Sequence, residues 1–221
     1  GGQDSVSVKQ KDGIQRTLKC ISKDNYDVND FVVLNNTSFV ATSSYDKCFL
    51  FIVDYIKDVL LQTLPVSGYS SGITIFGRTL IYCIKRTGIE SYNLDTGAVK
   101  VILENRKIGD SYIAYSDNHL YFTYANAVSC CDMTGNISWT FENKPALEAP
   151  RGIAVDKDGY IYVAGEMSNN VVVISPSGKE SRLILGREEG LIRPRALKYD
   201  QEQHRLLVCN EDTRLFVFDI K

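Results

Sequence analysis

Arg151 and Arg195 are the residues whose type and spacing most plainly offer chemistry. Each directly follows a proline, in Pro150-Arg151 and Pro194-Arg195, and each stands at the start of a β-rich run. A guanidinium is a planar fork of donors that can hold a carboxylate or phosphate bidentately. Two of them at equivalent places in a repeat would face one common opening. The competing reading is that each pairs with a neighbouring acid, such as Glu166 or Glu211. No HExxH or P-loop occurs. The two histidines, His119 and His204, fall in turns of different repeats, so a histidine-based metal site is not expected. Asp156-Lys157-Asp158-Gly159 begins like a calcium loop but lacks the later ligands, and reads as a hairpin turn. The reading is therefore no enzyme, no metal and no cofactor.

Composition agrees with a chain that neither coats nucleic acid nor enters a membrane. It has 25 basic and 27 acidic side chains in 221 residues, a formal net charge of −2. That balance gives no general attraction to a phosphate backbone or an anionic surface. Apolar residues make up 44%, enough for a sizeable core, and no apolar run is long enough for a spanning helix. Six cysteines lie in apolar runs without CxxC spacing and read as reduced, buried thiols of a cytoplasmic protein. Cys130 and Cys131 are adjacent, so on a strand they face opposite sides.

The arginines must be positioned by a repeated β unit. Residues 150–185 read PRGIAVD, a KDG turn, YIYVAG, EMSNN, VVVISP, an SGK turn and ESRLIL. These are four short β-rich runs separated by turn residues, with Gly159 and Gly178 where hairpins need positive φ. First strands recur near Phe31, Ile73, Tyr112, Gly152 and Ala196, at steps of about 40 residues. Four strands per unit at that spacing predict an all-β propeller of four-stranded blades, one domain over residues 1–221. The last copy lacks a fourth strand before Lys221, while Gln15–Ile21 has no blade of its own. Pairing Gln15–Ile21 beside Arg214–Ile220 would close a five-bladed ring.

Pro150–Ser177 resembles an NHL repeat. That pattern has Pro and Gly at the inner strand, Asp and Gly in the first turn, and Asn before the third strand. Pro150, Gly152, Asp156, Gly159 and Asn170 match it, and the last copy keeps Pro194 and Asn210-Glu211 but not the glycine. Ser111–Lys221, with SCCDMTGNISWTF and PRGIAVD, resembles the C-terminal domain of invertebrate, mollusc-type tripartite-motif-like proteins. The resemblance implies a non-catalytic recognition domain, the substrate-selecting module of a ubiquitin ligase. Family propellers commonly have six blades, so a six-bladed form is the alternative to the five counted here.

In such a fold, the loop before each inner strand and the loop between strands two and three share a face, and loops on a rigid scaffold bind. The candidate ligand-binding residues on it are Tyr45, Tyr69, Lys85, Arg86, Tyr124, Arg151, Glu166, Arg193, Arg195 and Glu211. Tyr and Arg are the usual interface anchors. A protein ligand is expected. RNA is the alternative, kept by the basic residues and opposed by the interleaved acids; DNA is not expected. A lactonase-like enzyme would need acids on the inner strands, and FVVL, GITIF, YIAY, GIAV and ALKY have none. A glycan-binding propeller would need repeated tryptophans, and Trp139 stands alone.

Overall fold

The computed structural model describes residues 28–43, 48–212 and 214–220, and the backbone of Val6–Lys9 and Gln15–Leu18. The fold is an all-β five-bladed propeller built of antiparallel meanders. The chain divides into two compact units, Gly1–Ile73 and Thr74–Lys221.

In the first unit, β1 (Val6–Lys9) pairs with β2 (Gln15–Leu18), Val6 opposite Leu18. A meander follows: β3 (Val28–Asn35), β4 (Ser38–Ser43), β5 (Phe49–Asp54) and β6 (Val59–Pro65). The Asn35 side chain makes the first turn, its Oδ1 accepting the N–H of Thr37 at 2.9 Å and of Ser38 at 3.0 Å. Phe39, Ala41, Phe51 and Val53 form the core of this sheet. Of the segment Gln15–Ile21 expected to close the ring, the described part is β2. Gln15–Leu18 pairs with Val6–Lys9, and Lys19–Ile21 lie outside the described residues.

Next come β7 (Ser70–Phe76), β8 (Thr79–Ile84), β9 (Gly88–Asn93) and β10 (Val99–Glu104) in one sheet. The second unit continues with β11 (Ile113–Ser116), β12 (His119–Tyr124), β13 (Ala127–Asp132) and β14 (Ile137–Glu142). The fourth meander is β15 (Pro150–Val155), β16 (Ile161–Gly165), β17 (Asn170–Ile174) and β18 (Ser181–Leu185). The last is β19 (Pro194–Asp200), β20 (Arg205–Asn210) and β21 (Leu215–Asp219), three-stranded among the described residues.

In the second unit successive sheets pack face to face, so middle strands are apolar on both sides instead of alternating. On β16, Ile161 and Val163 enter a cluster with Tyr121 and Val128. Tyr162, between them, enters one with Leu206 and Val208. Cys130 and Cys131 do point to opposite sides, Cys130 toward Ile153 and Cys131 toward Ile81. Burial pushes the Cys130 thiol up to about 11.

The turns hold as their residues dictate. Gly159 and Gly178 have φ of 82° and 72°. At Gly178 space matters as much as φ: an added Cβ would lie 2.3 Å from Cδ2 of Trp139, whose Nε1 donates to the Pro176 carbonyl at 3.0 Å. Gly178→Ala is expected to destabilise the fold by about 2 kcal/mol, from the unfavourable φ together with the displaced ring. A urea titration followed by the fluorescence of this single tryptophan would show it; an unchanged midpoint would mean that the ring swings aside freely.

Candidate binding site on the loop face

The site is built at the entries of β15 and β19. Proline opens both strands and offers no N–H. The residue before each, Ala149 or Arg193, has φ of 50° or 47°, a left-handed conformation costing on the order of 1 kcal/mol for a residue with a Cβ. One repeated device holds both. The Ala149 N–H donates to Asn126 Oδ1 at 3.1 Å, and the Arg193 N–H donates to Asn169 Oδ1 at 2.9 Å. Each asparagine comes from the loop after the second strand of the preceding sheet. The carbonyls of Ala149 and Arg193 then accept the N–H groups of Glu166 (3.1 Å) and Glu211 (3.0 Å). Arg151 and Glu166 in one sheet, and Arg195 and Glu211 in the next, thus stand in equivalent positions.

Two further contacts set Arg151. The Thr123 hydroxyl accepts the Tyr112 N–H at 3.0 Å and donates to the Arg151 carbonyl at 3.1 Å. Gly152 lets β15 approach β19 closely: a Cβ there would lie 2.6 Å from Leu197 N and 2.7 Å from the Arg195 carbonyl oxygen.

Three guanidiniums converge on one carboxylate as a result. Glu166 Oε2 accepts from Arg151 Nε at 2.6 Å. Its Oε1 accepts from Arg193 Nη2 at 2.6 Å, and from Arg195 Nη2 and Nε at 2.9 and 3.2 Å. The Glu166 side chain is 3% exposed, against 45% for Arg193 and 43% for Arg195. Glu211, 34% exposed, lies across the same two arginines, Oε2 at 2.6 Å from Arg193 Nη1 and Oε1 at 2.6 Å from Arg195 Nη2. On the other side, Arg151 Nη1 donates to the Asp110 carbonyl at 3.0 Å, and Lys85 Nζ lies 3.2 Å from Asp110 Oδ1. Burial alone would raise the Glu166 carboxyl; hydrogen bonds from Arg151, Arg195 and Arg193 outweigh it and hold the group at about 2. Arg195 is likewise opposed by burial, but its bonds to Glu166 and the nearby Glu211 charge raise its affinity for the proton.

Lys85, Arg151, Glu166, Arg193, Arg195 and Glu211 are therefore brought together, with Asp110 between the first two. Both arginines singled out by the proline spacing pair with acids. Arg86 is exposed, with φ of 61°. Tyr124 turns into its own sheet, half-buried, its ring stacked on Phe122 and its hydroxyl 3.2 Å from Ser129 Oγ. Tyr69 is exposed and belongs to the first unit. Tyr45 lies outside the described residues. The central role of Glu166 was not read from the sequence, though a signal existed: Glu166 and Glu211 occupy the same place after the second strand of their repeats. No group of three or more His, Cys, Asp or Glu among the described residues is arranged to hold a metal ion.

A β-propeller repeat model (SBBP) matches residues 149–169, which hold Arg151, Glu166 and Asn169. The E3 ubiquitin-protein ligase TRIM56 of Mus musculus is 35% identical over 98 residues, 43% of this chain and 13% of that protein. Two solved structures share the fold. One is a Bacteroides thetaiotaomicron protein of unknown function, with a TM-score of 0.73, 13% identity, and coverage of 98% of this chain and 66% of that one. The other is a streptogramin B lyase, with a TM-score of 0.69, 18% identity, and coverage of 99% and 77%. At these identities the two structures speak for the fold and not for an activity. What the comparisons share with the geometry is a β-propeller repeat, matched where the arginine cluster is built.

Proposed function

We propose that this chain is a single, non-catalytic recognition domain that binds a protein ligand through the loop face carrying Arg151, Arg193 and Arg195. The observation that carries the reading is a set of guanidiniums fixed from below by buried Glu166 yet exposed above. Fixed arginines lose little freedom on binding, which is what makes an interface anchor effective. The similarity to a mouse E3 ubiquitin-protein ligase supports a place as the substrate-recognition module of a tripartite-motif-type ligase. The free cysteines, Cys83, Cys130 and Cys131 among them, fit a reducing, cytoplasmic setting. No helix among the described residues is long and apolar enough to cross a membrane. RNA is disfavoured because Lys85, Arg151, Arg193 and Arg195 each already have an acidic partner.

The test compares proteins retained by the wild-type chain and by Arg193→Ala/Arg195→Ala, using quantitative mass spectrometry of crosslinked complexes. A defined partner kept by the wild type and reduced at least about tenfold in the variant is expected, as for the loss of two anchors. Both chains must show cooperative unfolding at room temperature or above. Equal retention by the two, or selective recovery of RNA at physiological salt, would overturn the reading.

A further inference from the structure

Glu166 and Glu211 contact the same two arginines but are differently placed. Glu166 is 3% exposed and sits beneath Arg193 and Arg195. Glu211 is 34% exposed and bridges the pair, one carboxylate oxygen to each guanidinium at 2.6 Å. A carboxylate bridging two guanidiniums is the arrangement an incoming Asp or Glu side chain would adopt.

We infer that Glu211 is a built-in stand-in for a carboxylate of the partner, and that the loop face takes an acidic peptide segment whose Asp or Glu side chain displaces Glu211 from Arg193 and Arg195. This rests on the reading of that face as a protein-binding surface, and names the chemistry of the partner.

Three observations favour it. An exposed ion pair contributes little, so releasing Glu211 costs little, whereas buried Glu166 keeps the guanidiniums aimed after it leaves. The charge count also favours an anion. Lys85, Arg151, Arg193 and Arg195 are met by Asp110, Glu166 and Glu211, and moving Glu211 aside leaves an excess of two positive charges. Lastly, the cluster is compact. It suits one or two carboxylates, whereas a nucleic-acid backbone is held by a track of many phosphate contacts.

The experiment uses fluorescence anisotropy with three labelled probes on the whole chain: a ten-residue peptide rich in Asp and Glu, its Asn/Gln counterpart, and oligouridine. The proteins are wild type, Glu211→Gln and Arg195→Lys. Glu211→Gln is expected to bind the acidic peptide about three- to tenfold more tightly than wild type, because the internal competitor is removed. Arg195→Lys, which keeps the charge and loses the fork, is expected to bind it more weakly than wild type. The amide peptide should bind none of the three proteins. Thermal unfolding would verify that both variants remain folded.

Acidic-peptide affinity that is unchanged or lowered by Glu211→Gln would overturn the inference, as would equal binding of the amide peptide or tighter binding of oligouridine. The two readings fail separately. A partner lost in Arg193→Ala/Arg195→Ala but indifferent to Glu211→Gln would leave the protein-binding face standing and remove its acidic specificity. A partner indifferent to the arginines would remove the face itself.

Discussion

Gly152→Ala is expected to lower the stability of the 74–221 unit by about 3 kcal/mol, at the upper end of overpacking substitutions. The added Cβ would meet backbone atoms: Leu197 N at 2.6 Å, the Arg195 carbonyl oxygen at 2.7 Å and the Ala196 carbonyl carbon at 2.9 Å. A flexible side chain could turn away, but these atoms move only if β19 moves. For a unit of this size the melting temperature should fall by roughly 6–12 °C. The displacement also acts on the site, since Arg195 lies on the strand that is pushed. Differential scanning calorimetry measures the first effect, and anisotropy with an acidic probe the second. A melting point within a degree of wild type would show that the two strands separate at no cost and that the close approach is incidental.

Glu166→Gln is expected to cost a comparable amount, about 3 kcal/mol, because three guanidiniums lose the charge they surround. Glu166 is buried, so few waters can take its place. Glu211→Gln removes a carboxylate in contact with two of the same arginines, but an exposed one, and should cost no more than about 1 kcal/mol. The contrast between the two variants, read from urea midpoints at neutral pH, separates a structural keystone from a replaceable lid. Acid provides an independent measurement. The Glu166 carboxyl is held at about 2 against an ordinary 4.5. A group whose folded value is depressed contributes its stability above the unfolded value and loses it as the pH falls toward the folded one. Wild type should therefore lose on the order of 3 kcal/mol from this group between about pH 4.5 and pH 2. Glu166→Gln should lose correspondingly less over that window. Parallel stability curves for the two proteins would show that the carboxylate is not held by the arginines in solution.

The blade rhythm was legible because it is local. Alternating and continuous apolar runs, broken by turn residues such as Gly159 and Gly178, set strand length and hairpin position within about ten residues of chain. The equivalence of Arg151 and Arg195 was legible for the same reason, since each is tied by sequence to the proline that starts its strand. Tertiary structure alone decided what those arginines do. Glu166 draws Arg151 from its own sheet and Arg193 and Arg195 from the next, and this depends on distances between sheets that chain spacing does not encode. The asparagine holds on Ala149 and Arg193 likewise cross from one sheet to the following one. Tyr124 and Arg193 both read as exposed loop residues. One packs its ring against Phe122 and the other stays accessible, because burial is set by the neighbour that happens to cover a side chain. The need for glycine at Gly152 is of the same kind: it comes from the backbone of β19, a strand more than 40 residues further along the chain.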